Sequence, residues 1–79
     1  MSVETGLSIK VYVRLLDEGT DVMRPVIATP TINGYFKLAM PDDYDADFEN
    51  WEFKPGSTVQ CNQQILEGRP ELIAIAKID

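Results

Sequence analysis

The chain contains no histidine and only one cysteine, Cys61. The first absence removes the side chain that most often acts as a general base near neutral pH and most often ligates zinc. The second excludes an intrachain disulfide, and with it the stapled scaffolds typical of small secreted domains. No apolar run approaches the ~20 residues that a membrane-spanning helix needs. The segment Met1-Ser2-Val3-Glu4-Thr5-Gly6 has neither a basic stretch nor an apolar one, so it does not read as a signal peptide. The expected location is the cytoplasm, with no membrane contact. Clustered positive charge is missing as well. The seven Lys and Arg residues are scattered, whereas a nucleic-acid surface needs them gathered to neutralise phosphates. Nucleic acid is therefore not the expected partner.

What is present is a 79-residue chain with ordinary globular usage, 44% hydrophobic and 25% charged, enough for one small domain. Its net charge of −6 has a single origin. Asp42, Asp43, Asp45, Asp47, Glu49 and Glu52 fall within eleven residues that hold no base, and the rest of the chain is neutral.

The apolar pattern has a period of two. Leu7, Ile9, Val11, Val13 and Leu15 alternate with Ser8, Lys10, Tyr12 and Arg14, the mark of a strand with one buried face. A second run, from Val22 to Thr29, contains Pro25, which places it at an edge or on a bulge. Asn33-Gly34 predicts a two-residue type I′ hairpin turn. After it, Phe36, Leu38 and Met40 share a face. Trp51 and Phe53 alternate in a short strand with both rings inward. Pro55-Gly56 predicts a type II turn. Val59 and Cys61 share the apolar face of a strand from Ser57 to Ile65, and Gly68-Arg69-Pro70 turns the chain into a last strand over Leu72–Ile78. The fold class expected is all-β: a small five- to six-stranded SH3-like or OB-like barrel spanning 1–79, with residues 1–6 a flexible N-terminus. At most one short helix is allowed, within 42–50.

The segment Val11-Tyr12-Val13-Arg14-Leu15-Leu16-Asp17-Glu18-Gly19-Thr20-Asp21-Val22-Met23-Arg24-Pro25-Val26, followed later by Trp51-Glu52-Phe53-Lys54-Pro55-Gly56-Ser57-Thr58-Val59, resembles a family of short, uncharacterised bacterial proteins. The resemblance covers roughly residues 9–61. It implies a compact β-barrel and no particular activity. The Pro-Gly-x-x-Val step is also similar to that of KOW and Tudor-type barrels.

Several constellations invite chemistry. Asp43, Asp45 and Asp47 occupy positions 1, 3 and 5 of a calcium-loop template, but Phe48 stands where its glycine belongs and Lys54 where its glutamate belongs. Carboxylate pairs such as Asp17 with Glu18, or Asp43 with Glu49, lack the buried setting that acid/base catalysis requires. Cys61 has no basic neighbour in sequence and reads as a core residue rather than a nucleophile. Arg14 and Arg24 are expected to pair with Asp17, Glu18 or Asp21 and fix a corner. Tyr44 and Phe48 stand among carboxylates, suited either to a basic partner or to covering the barrel's end.

The function expected from these features is a non-catalytic interaction module. It would bind a basic protein partner, or another copy of itself, through Asp42, Asp43, Tyr44, Asp45, Asp47, Phe48 and Glu49 or through a strand edge. This loop is expected to contribute little to the fold. Arg14, Asp17, Gly19, Arg24, Asn33, Gly34, Trp51, Phe53, Pro55 and Gly56 are assigned structural roles, and no metal or cofactor is expected. The alternative is a KOW- or OB-like accessory protein of a ribonucleoprotein. A small enzyme or a weak calcium-binding protein comes third.

Overall fold

The computed structural model describes residues 8–18, 22–45 and 47–78. The expectations for residues 1–6 and for Gly19 lie outside them. Five strands follow in order: β1 (Ile9–Leu15), β2 (Val22–Pro30), β3 (Phe36–Leu38), β4 (Thr58–Leu66) and β5 (Arg69–Lys77). Each pairs with the next in antiparallel fashion, and β1 meets β5 in parallel at Tyr12↔Ile73, which closes the barrel. The all-β barrel is thus as expected. Its order is a plain meander, without the Greek-key return of an OB-fold. No helix occurs among the described residues, including those of the 42–50 segment.

Alternation builds the core. Val11 and Val13 of β1 face inward with Val26 and Ala28 of β2, Leu38, Val59 and Ala74, and Trp51 lies at their centre, 1% exposed. Ile9, Leu15, Phe36, Phe53 and Cys61 pack around this cluster, half-buried. Trp51 does not belong to a strand with Phe53. It forms an isolated bridge to Leu15, flanked by Leu16 N–H donating to Asn50 C=O at 2.7 Å and Glu52 N–H to Arg14 C=O at 2.9 Å. Phe53 falls in a bend beyond that bridge. Met40 leaves the face shared by Phe36 and Leu38, because β3 ends at Leu38 and the chain turns outward.

Two turns depart from expectation in a related way. At 31–35, Gly34 N–H donates to Thr31 C=O and Thr31 N–H to Tyr35 C=O, with Gly34 at φ 85° and Asn33 at ordinary negative φ. This is a three-residue loop, a tight turn followed by a left-handed glycine, rather than a type I′ pair. Tyr35 N–H also donates to the Thr31 hydroxyl at 3.2 Å, which favours the longer loop. The two-residue turn with both φ positive occurs instead at Glu67 (51°) and Gly68 (80°), between the paired residues Leu66 and Arg69. Arg69 and Pro70 therefore open β5 rather than forming the turn. Pro55-Gly56 behaves as expected: Gly56 sits at φ 89° and Ser57 N–H donates to Lys54 C=O.

Candidate functional site

The acidic segment is tied into the barrel by Arg24. Arg24 shares the inward parity of Val26 and Ala28, so its side chain enters the end of the barrel rather than solvent. Its guanidinium lies 5.7 Å from the Trp51 ring. Nη2 donates to Asp43 Oδ1 at 2.9 Å, and Nε lies 2.6 Å from Glu49 Oε1. The Nε–H is not aligned with that oxygen, so the second contact is an ion pair and not a hydrogen bond. Glu49 Oε1 also accepts from the buried Trp51 Nε1 at 3.0 Å, which supplies the partner an indole needs inside a core. Tyr44 stacks edge-on against the same indole, with centroids 5.2 Å apart.

Several sequence assignments change as a result. Arg24 pairs with Asp43 and Glu49 rather than with Asp17 or Glu18, because its inward direction carries it toward Trp51, and Asp21 lies outside the described residues. Arg14 faces the opposite side of β1 from Val13, and its buried Nε has no hydrogen-bond partner among the described residues. Asp17 accepts instead from Asn50 Nδ2 at 2.9 Å, which pins the β1 end to the chain preceding Trp51. The acidic loop is not a mere addition to the fold, since Tyr44 and Glu49 cover Trp51 and Asp43 holds Arg24 from the solvent side. Asp45 organises its outer turn: its C=O accepts from Phe48 and Glu49 N–H, and its carboxylate from Asp47 N–H at 2.9 Å. That turn holds Phe48 81% exposed. Of the seven residues assigned to partner binding, Asp42, Asp47 and Phe48 remain wholly outward.

Sequence reasoning did not find the cleft beside this loop. It has a volume of about 370 Å³ and lies between Arg24–Ile27 of β2 and the segment 39–43. Its cause is the early end of β3. Ala39 N–H donates to Ile27 C=O at 2.9 Å, and Met40-Pro41 then splays away from β2. The walls include Ile27, 50% exposed, and Met40, 65% exposed, with Asp42 and Asp43 at one end. The available signal was Pro25, which predicts an edge or a bulge; β2 is flanked by β1 and β3, and the proline lies where β3 does not reach.

A second cleft, of about 250 Å³, lies between Tyr12 and Met23 and the tip of the β4–β5 hairpin. Cys61 is half-buried, and burial pushes its thiol from 9.0 to about 11, away from the thiolate form. Among the described residues no three Cys, Asp or Glu side chains gather into a metal-holding group, and no helix is long and apolar enough to cross a membrane. Comparison with family models, curated proteins and solved structures returns no match to this chain.

Proposed function

We propose that this protein is a non-catalytic interaction module that binds a segment of a protein partner at the cleft between β2 and the acidic loop. The observation that carries the reading is the cleft itself. Two exposed apolar side chains, Ile27 and Met40, stand beside Asp42, whose carboxylate forms no ion pair among the described residues, at one site on an otherwise neutral barrel. Apolar contact supplies affinity there, and the acidic rim supplies steering and selection for a cationic partner. Trp51, Tyr44 and Arg24 hold the rim in place, so little ordering cost attaches to binding.

The test is selection of a displayed random-peptide library on the folded protein, with binding mapped by amide resonances. Enriched sequences should combine apolar residues with Lys or Arg and should shift the resonances of Ile27 and Met40. Enrichment no greater than on an unrelated acidic domain would overturn the reading. So would specific retention of RNA at physiological salt in place of peptides.

A further inference from the structure

Resting on that reading, we infer that the partner segment binds as an added β-strand: an extended, cationic stretch of chain that hydrogen-bonds to the outer edge of β2 at Pro25–Ile27. The backbone geometry specifies this mode. The inward residues of β2, Val26 and Ala28, exchange bonds with β1, so the C=O of Pro25 and the N–H and C=O of Ile27 point to the opposite edge. On that edge β3 pairs only with Ala28–Pro30. The last rung is one-sided: Ala39 N–H reaches Ile27 C=O, and among the described residues no bond returns from Ile27 N–H to Ala39. The edge therefore offers an acceptor, Pro25 C=O, and a donor, Ile27 N–H, spaced as the two ends of one sheet repeat. Proline costs the edge nothing here, since a donor at position 25 would fall outside this pair. An incoming extended chain completes the pattern, as in strand addition to other exposed sheet edges.

Charge selects the occupant. Arg24 is already shared by Asp43 and Glu49, and Asp42, Asp45, Asp47 and Glu52 form no ion pair among the described residues. A chain lying in the cleft passes Asp42, so Lys or Arg there is favoured and Asp or Glu is opposed. The same argument disfavours a second copy of this protein. Pairing β2 with β2 would bring two such acidic loops together, within the ~8 Å over which charge acts at physiological salt. The cleft volume admits a few residues of extended chain and no folded element.

The experiment uses a defined probe, an acetylated and amidated Val-Lys-Val-Lys-Val peptide, titrated into the whole protein and followed by amide resonances. A Val-Glu-Val-Glu-Val peptide serves as the charge control. Two further probes carry N-methyl groups on the valine amides only or on the lysine amides only. Successive amides of a strand point to opposite edges, so only one of the two sets can face β2. Val-Lys binding should shift Val26, Ile27 and Ala39 and slow exchange of the Ile27 amide. One methylated set should weaken binding about threefold to tenfold and the other should leave it unchanged. Asp42→Asn should weaken the Val-Lys peptide about twofold at low salt. Equal effects of both methylated sets at the same cleft would overturn strand addition while leaving the binding site standing. Shifts confined to 45–49, with β2 unmoved, would overturn the inference and relocate the site to the loop turn. No shift with any peptide, or a concentration-dependent dimer protected at Ile27, would overturn it together with the proposed function.

Discussion

The acidic loop and the β4–β5 hairpin oppose each other in how they are held. The loop has almost no regular structure, yet side chains from two parts of the chain lock it: Arg24 of β2 with Tyr44, Glu49 and Trp51 of the loop itself. The hairpin carries the longest strand pairing, from Val59↔Lys77 to Leu66↔Arg69 with a register shift between Gln60 and Cys61, yet most of its outer half is exposed. Towards its tip, beyond Ile73 of β5 and Val59 of β4, no further strand pairs with it among the described residues. Backbone regularity and burial are thus separate sources of order in this barrel, and a residue's energetic weight follows burial.

The largest expected effect tests that claim directly. Trp51→Ala removes the central side chain, takes the indole N–H from Glu49 and the ring contact from Tyr44, and should cost about 3–5 kcal/mol. Ile65 is also a large apolar residue, but it lies 67% exposed on the hairpin. Ile65→Ala should change stability by less than about 0.5 kcal/mol. Urea unfolding of both variants followed by circular dichroism checks the pair. Comparable losses would break the comparison, because the hairpin would then contribute as a packed unit.

Arg24 comes next. Arg24→Ala strips the cation from Asp43 and Glu49 and uncovers part of the indole, at about 1–3 kcal/mol. Asp43→Asn should cost under about 1 kcal/mol, since Asp43 is largely exposed and its pair is screened. Thermal melts of the two variants order them. A larger loss from Asp43→Asn than from Arg24→Ala would show that Asp43, rather than the contact with Trp51 and Glu49, anchors the loop.

Much of this contrast was legible in the sequence, and the illegible part has one physical cause. Alternation from Ile9 to Leu15 and the Pro55-Gly56 turn are local, and both appear in the structure as read. Pro25 predicts an edge or a bulge, and β2 is neither: it lies between β1 and β3 without a bulge, and the proline is accommodated because β3 pairs only with Ala28–Pro30. Asn33-Gly34 misled because a local propensity for left-handed φ at both residues gave way to Thr31, whose hydroxyl and backbone close a longer loop. Arg24 was assigned to acids near it along the chain, whereas its partners stand nineteen and twenty-five positions away in sequence. Val26, Ala28 and Ala74 were not recognised as core, because small or proline-flanked residues carry little signal until their neighbours are placed. The cleft is the limiting case. It exists because two segments part, and that is a property of no single stretch of sequence.

At the hairpin tip, Glu67 occupies left-handed backbone at φ 51°, where a side chain with a Cβ costs about 1 kcal/mol relative to glycine. Glu67→Gly should therefore stabilise the protein by up to about 1 kcal/mol, less the entropy a glycine adds to the unfolded chain. Gly68→Ala should destabilise it by a similar amount at φ 80°, although nothing crowds that position. Denaturant midpoints measure both. If neither moves, the tip frays independently of the barrel and its conformation has no hold on global stability.

The smallest effect lies at the root of the same hairpin and is absent at neutral pH. Cys61 follows the register shift between Gln60 and Cys61, half-buried against the core. Desolvation raises its folded thiol to about 11 against 9.0 for the unfolded chain. The folded state therefore holds the proton more tightly, and the associated stability is complete below pH 9, then falls as pH rises from 9 towards 11. Partial exposure keeps the effect modest. The measurement is a difference: wild type against Cys61→Ala, melted at pH 7.5, 9 and 10.5. The gap between the two should be constant up to pH 9 and shift against the wild type above it. At pH 8 the wild-type thiol should react with iodoacetamide more slowly than an unfolded control. A gap independent of pH, with labelling at the unfolded rate, would mean that Cys61 is hydrated. The hairpin would then separate from the core at β4's bulge rather than beyond it.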